Sequence, residues 1–377
     1  MNKRDFLKTL GKSTLTMAAM SAFPWDSHAV NSMKGSKNWM WIRPEQGLSA
    51  DTWKQKLSKA KEAGIDAILV EVYHGTNEVF FDTDRFEVKE DILSKLIPVC
   101  KEINMELHAW MWSMPCNNKK IIQEHPDWYA VNGLGESAST KPAYVDYYKF
   151  LCPNHPEVQD FVQANVRSLA SFTELDGVHL DYIRLPDVIL AKGLQPKYNI
   201  VQDKEYPQYD YCYSEYSRQL FKEQSGIDPL KDLKDPSAND AWRQFRYDSI
   251  TRLVNTKLVP EAKKTGKMIT AAVFPNWESV RQQWGKWDLD AFLPMLYHNF
   301  YEEDIKWIKT QTKKGVKFAH LKQPVYSGLF VPSLSPEELK KAIQSAHAGG
   351  AKGISLFDYG SLKEEHWKVL AEMYKNK

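Results

Sequence analysis

The sequence predicts an α/β fold: a single (β/α)8 TIM barrel with long loops after strands three and four. Three observations carry that expectation. Short apolar runs of strand character alternate with amphipathic runs of helical period, the pattern of βα units on a parallel sheet. The runs number eight, which is the number that closes a barrel. No glycine-rich phosphate loop follows the first run, which argues against a doubly wound open sheet.

Residues 1–29 read as an export signal rather than as structure. Lys3-Arg4-Asp5-Phe6-Leu7-Lys8 is a basic start, residues 15–23 form a short apolar run, and Ser27-His28-Ala29 offers a small-residue cleavage site. The start resembles a twin-arginine signal with one arginine replaced by lysine. The run is too short to span a bilayer, and no Cys follows it to carry a lipid. A periplasmic or secreted bacterial protein without a stable membrane anchor is expected, with residues 30–377 forming the barrel domain.

The eight strand-like runs are 38–42, 66–73, 105–112, 177–183, 268–274, 291–297, 323–329 and 353–359. Helical patterns lie between them. Residues 51–63 carry Trp53, Leu57 and Ala60 at helical spacing and end at Gly64. Residues 156–169 and 242–258 read similarly, and 335–348 opens Ser-Pro-Glu-Glu and stops at Gly349-Gly350. Two connections are long, 113–151 and 185–240. Both leave the C-terminal ends of strands, the face where such barrels build active sites. Both are rich in tyrosine: Tyr144, Tyr147 and Tyr148 in one, Tyr206, Tyr209, Tyr211, Tyr213 and Tyr216 in the other.

With 377 residues, 43 % hydrophobic and 26 % charged, the chain can bury a large core as one domain. A formal net charge of +2 gives no electrostatic reason to expect nucleic acid or an acidic membrane surface. The aromatic share is 12 %, with 13 Trp. An indole N–H needs a partner when buried, so many of these rings should line a cleft, although part of them must be core. The four cysteines, Cys100, Cys116, Cys152 and Cys212, lack metal-ligand spacing, and no disulfide pairing can be assigned from them.

The most informative stretch is Asp176-Gly-Val-His-Leu-Asp-Tyr-Ile-Arg184. Alternation puts Val178 and Leu180 on one side of the fourth strand, His179 and Asp181 on the other. A carboxylate at the end of a buried apolar strand costs several kcal/mol unless it is paired or wet. A structural Asp181–Arg184 pair is one reading. The catalytic rim of a barrel is the other, and the position favours it.

From these residues the chain resembles the glycosyl-hydrolase-like family-ten proteins, secreted bacterial (β/α)8 barrels. Other stretches are similar in the same order: His108-Ala109-Trp110, His125-Pro-Asp-Trp128, Leu151-Cys-Pro-Asn-His-Pro-Glu-Val158, Phe274-Pro-Asn276 and Pro294-Met-Leu-Tyr297. The resemblance implies a glycoside hydrolase whose strand-four aspartate, here Asp181, is the leading catalytic residue. One position departs from it. An Asp-Trp pair expected before the sixth strand stands here as Gln283-Trp284.

Glycoside hydrolysis ordinarily uses two carboxyl groups, one donating a proton to the leaving oxygen and one attacking or activating water. Three residues compete as the partner of Asp181. Glu71 lies within Val70-Glu-Val-Tyr73, where alternation aligns it with Leu69 and Tyr73. Glu278 follows Phe274-Pro-Asn-Trp277, just past the fifth strand. Asp358 ends the eighth strand and ranks slightly below the other two, being across the barrel from Asp181. For substrate contact the sequence offers Tyr73, His108, Trp110, Trp112, His179, Arg184, Asn276, Trp277, Tyr297 and His298. Aromatic faces stack on the C–H face of a pyranose, while Asn, His and Arg hydrogen-bond its hydroxyls.

His74, His108, His179 and His298 fall near strand ends, so a metal-dependent hydrolase is a competing reading. The first strand reads Trp39-Met-Trp41 where such a barrel would offer His-x-His, and no metal or cofactor is expected. A barrel that binds glycan without cleaving it is the other alternative, because a fold does not establish an activity.

Overall fold

The structure, a computed structural model, describes residues 35–320 and 322–375. The expected export signal, residues 1–29, lies outside them. Eight parallel strands form the barrel: β1 Trp39–Ile42, β2 Ala67–Tyr73, β3 Glu106–Trp112, β4 Gly177–Asp181, β5 Met268–Val273, β6 Ala291–Pro294, β7 Ser327–Phe330 and β8 Ile354–Phe357. They are hydrogen-bonded in the order β6-β5-β4-β3-β2-β1-β8-β7. The free edges of β6 and β7 meet through parallel bridges at Phe292–Val325 and Met295–Gly328, which close the barrel. β7 starts later than the apolar run, which is joined to β6 before that point only by the isolated bridge at Val325.

The strands are largely apolar on both sides because both sides are covered. Met40, Ile68, Val70, Ala109, Val178, Leu180 and Ile269 face outward into the core beneath the helices. Trp39, Trp41, Leu69, Trp110, Ala272 and Leu293 fill the lumen. The helices follow the sequence signals. Ser49 caps Ala50–Glu62 through its side chain, and Ser335 and Glu338 form a capping box on Pro336–Ala348. The expected helix 242–258 begins at Asp240 and changes character at Val254–Leu258, a π turn. Pro260, just beyond, cannot donate the next regular bond.

Two local features position the site. β2 is bulged between Glu71 and Tyr73 where it pairs with β3. The extra residue breaks strict alternation, so Glu71 faces the lumen whereas Tyr73 joins the outer core beside Phe86. At the start of β4, a Cβ on Gly177 would come within 2.3 Å of His108 Nδ1, so glycine there makes room for that ring in the barrel floor.

The long loops, 113–151 and 185–240, cover the C-terminal face and are tied to each other through the backbone. Cys212 and Tyr213 N–H groups donate to the Val131 carbonyl, and Gly133 N–H donates to the Pro207 and Asp210 carbonyls. The second loop is also anchored by charge. Asp210, 2 % exposed, binds Arg246 and, at 3.0 Å, Arg281, which in turn binds Glu205.

Candidate active site

The lumen is stacked in layers, and chemistry appears only in the uppermost. At the floor His108 lies against Trp39 and hydrogen-bonds Glu106 at 3.1 Å. In the middle His179 meets Thr270 Oγ1 at 2.7 Å and packs edge-on to Trp41. Both imidazoles are fully buried, and burial holds both below the usual histidine range. They fill the barrel and lie outside the wall of the cavity at its mouth, contrary to the sugar-contacting role expected of them. Parity placed them on the correct side of their strands but not at the correct depth.

The top layer carries Glu71 and Asp181, on β2 and β4, with β3 between them. β3 turns Trp110 and Trp112 inward, and each indole serves one carboxyl. Trp112 Nε1 donates to Glu71 Oε1 at 2.8 Å, and Trp110 Nε1 donates to Asp181 Oδ2 at 3.1 Å. The Tyr182 N–H donates to Asp181 Oδ1 at 2.7 Å, an arrangement held by the positive φ of 50° at Tyr182. Burial pushes Asp181 up to about 6, against the opposing pull of the Tyr182 N–H, Arg184 and Trp110. Glu71 is pushed up to about 7, again chiefly by burial, with Arg43 and the Trp112 bond opposing and the charge of Asp181 adding to the rise.

Above Asp181 opens a cavity of about 300 Å³; Glu71, bonded to the cavity-lining Trp112, stands outside its lining. Asp181 lies at its base, and Trp41, Trp110, Trp112, Tyr147, Tyr297 and Phe357 supply aromatic wall, with Arg43 and Lys197 at polar positions. Arg184 also lines it, but its ion pair is with Asp187 (3.0 Å), not Asp181. The Arg184 guanidinium lies over the rings of Tyr182 and Phe274 and meets the Tyr148 hydroxyl at 3.3 Å. It therefore organises the loop after β4 and bears on Asp181 only through its field.

The remaining expected residues lie elsewhere. Glu278 is exposed, and with Asn276 and Trp277 it lines a separate cavity of about 490 Å³ between the segments after β5 and β6. The short turn Trp277–Val280 carries them outward from the barrel axis. Asp358 is engaged in capping the turn Tyr359–Ser361, accepting from Ser361 N at 3.1 Å and Oγ at 2.7 Å. His298 faces the outer surface among Asp304, Lys306 and Glu338. Gln283, the departing position, receives a hydrogen bond from Gln244 at 3.1 Å and stands outside the mouth cavity. Residues that sequence reasoning missed include Arg43, Trp41, Tyr182, Asp187 and Phe357. Arg43, a cation just past β1, carries the same signal that singled out Asp181. Among the described residues no group of three or more His, Cys, Asp or Glu is placed to hold a metal ion.

Residues 71–316 match the family described as Glycosyl hydrolase-like 10, well over half of the chain and from Glu71 past β6. The chain belongs to glycosyl hydrolase-like family 10. Glycosyl hydrolase YngK of Bacillus subtilis (strain 168) is 23 % identical over 231 residues, covering 56 % of this chain and 38 % of that one. The family-10 chain thus spans well under half the length of that relative. Among solved structures, the PgaB (BpsB) glycoside hydrolase domain from Bordetella bronchiseptica superposes with a TM-score of 0.67 at 12 % identity, over 91 % of this chain and 99 % of that one. The catalytic domain of a β-amylase from Paenibacillus polymyxa gives 0.62 at 12 % identity, over 90 % and 98 %. At such identities the likeness establishes the fold alone, a TIM barrel.

Proposed function

We propose that this family-10 barrel is an exported glycoside hydrolase that cleaves O-glycosidic bonds with Asp181 and Glu71. The observation that carries the reading is the pairing of two buried carboxyls across β3, each held by an indole and each raised out of the ordinary carboxylate range. Two groups raised to different extents suit two roles. Glu71, the higher, is the proton donor to the leaving glycosidic oxygen. Asp181, the lower, is ionised when Glu71 still holds its proton, and acts on the anomeric carbon directly or through water. The aromatic walls stack on the sugar's C–H faces and exclude water, and Arg43 and Lys197 reach its hydroxyls.

A cavity of about 300 Å³ is at the small end of ligand sites and favours a terminal sugar or a short oligosaccharide. The export half of the proposal rests on the basic and apolar order of residues 1–29. Incubating the purified protein with a panel of oligosaccharides and measuring released reducing ends tests the activity. Sugar binding without any product would sink the hydrolase reading and leave a glycan-binding barrel.

A further inference from the structure

Two of the four cysteines come together where the long loops end. Cys152 follows the loop after β3, just before the helix Pro156–Ala170, and Cys212 lies within the loop after β4, just before the helix Glu215–Ser225. Both are fully buried. Both are free thiols in the structure. One hydroxyl touches both sulfurs: Ser217 Oγ lies 3.2 Å from Cys152 Sγ and 3.4 Å from Cys212 Sγ. Ser214 Oγ is 3.4 Å from Cys152 Sγ, and Asn154 Nδ2 donates to Cys212 Sγ at 3.3 Å. The backbone already joins the two loops here, because the Cys212 N–H donates to the Val131 carbonyl.

We propose that Cys152 and Cys212 form a disulfide that staples the two loops over the catalytic face when the chain folds in an oxidising environment. Sixty residues separate them in sequence, so the link would close a large loop, the case in which a crosslink most restricts the unfolded chain. The other two thiols are placed differently. Cys100 is on the helix Ile92–Glu102 near Asp176, and Cys116 lies beside Tyr73 and Tyr129.

The chemistry is thiol–disulfide exchange with a small-molecule disulfide such as oxidised glutathione. The Cys152 thiolate attacks one glutathione sulfur and expels a glutathione thiolate. Cys212, as thiolate, then attacks Cys152 Sγ and expels the second. The two protons lost by the protein appear on the two glutathione thiols, and the two electrons reduce the oxidant. Because both sulfurs are buried, the exchange belongs to folding, before the loops close.

The test is to refold the full chain in a reduced/oxidised glutathione buffer, alkylate without reduction under denaturing conditions, and map the peptides. The staple predicts a peptide pair joined through Cys152 and Cys212, with Cys100 and Cys116 alkylated. Adding dithiothreitol should then lower Tm by several degrees in the wild type and leave Cys152→Ala unchanged. Four alkylated cysteines, a crosslink through Cys100 or Cys116, or equal Tm in the oxidised and reduced wild type would overturn it. The peptide map uses only the wild type, so it decides the matter even if Cys152→Ala fails to fold.

Discussion

The indole of Trp112, on β3, donates to the Glu71 carboxyl on β2 at 2.8 Å, while its Cα is the register partner of Asp181 on β4. One aromatic residue thus stands between the two carboxyls of the proposed site and orients one of them. Because the bond favours ionised Glu71, removing it should raise that group further. In Trp112→Phe the alkaline limb of the kcat/KM profile is expected to move upward by up to about one pH unit, with the acid limb unmoved. A shift of the acid limb instead would show that Trp112 acts on Asp181.

Under the proposed assignment the active form has Asp181 ionised and Glu71 protonated. With the two groups near 6 and 7, kcat/KM should follow a bell with its maximum at about pH 6.5 and fall on both sides. The alkaline arm reports loss of the Glu71 proton. A residual activity of Glu71→Gln that no longer falls above pH 7 is the corresponding expectation, read by initial rates on one substrate across pH 5 to 9.

The same burial makes the site a stability liability at high pH. Both groups hold protons more tightly folded than unfolded, so their favourable contribution is complete below about pH 4 and is lost as the pH rises through 6 and 7. Asp181→Asn and Glu71→Gln should therefore unfold at higher temperature than the wild type at pH 8, by up to a few kcal/mol in stability, and about equally with it at pH 4. Thermal melts at the two pH values check the sign.

The loop after β4 is expected to depend on Asp210. Its removal leaves Arg246 and Arg281 buried with less counter-charge. Asp210→Ala should cost about 3–5 kcal/mol, measurable as a fall in the denaturant midpoint, and loosen the loop carrying Arg184 and Asp187. A change within 1 kcal/mol would mean that the network is incidental.

Much of this was legible in residue order. Each of the eight apolar runs overlaps one of the eight strands, and the Ser-Pro-Glu-Glu opening at Ser335 marks a true helix start. Asp181 was visible as a charge at a strand end. Depth was not legible, since period two gives the side of a strand but not the layer, which is why His108 and His179 fall below the cavity and not at the substrate-contact positions expected of them. The bulge after Glu71 was equally hidden, because strict alternation assigns Glu71 and Tyr73 to one side of the strand, whereas the register shifts between them. For Glu278, Asn276 and Trp277 the turn after β5 sets the direction, and a turn of that kind carries no periodic signal. The Trp112–Glu71 and Trp110–Asp181 bonds join strands far apart in sequence and appear only once the sheet is assembled.

The most direct test of the central claim is steady-state turnover of Asp181→Asn beside its affinity for the same oligosaccharide. The account predicts a fall in kcat of at least about 100-fold with sugar affinity nearly unchanged, since the amide keeps the shape and the contacts but not the charge. Turnover at the wild-type rate would contradict it.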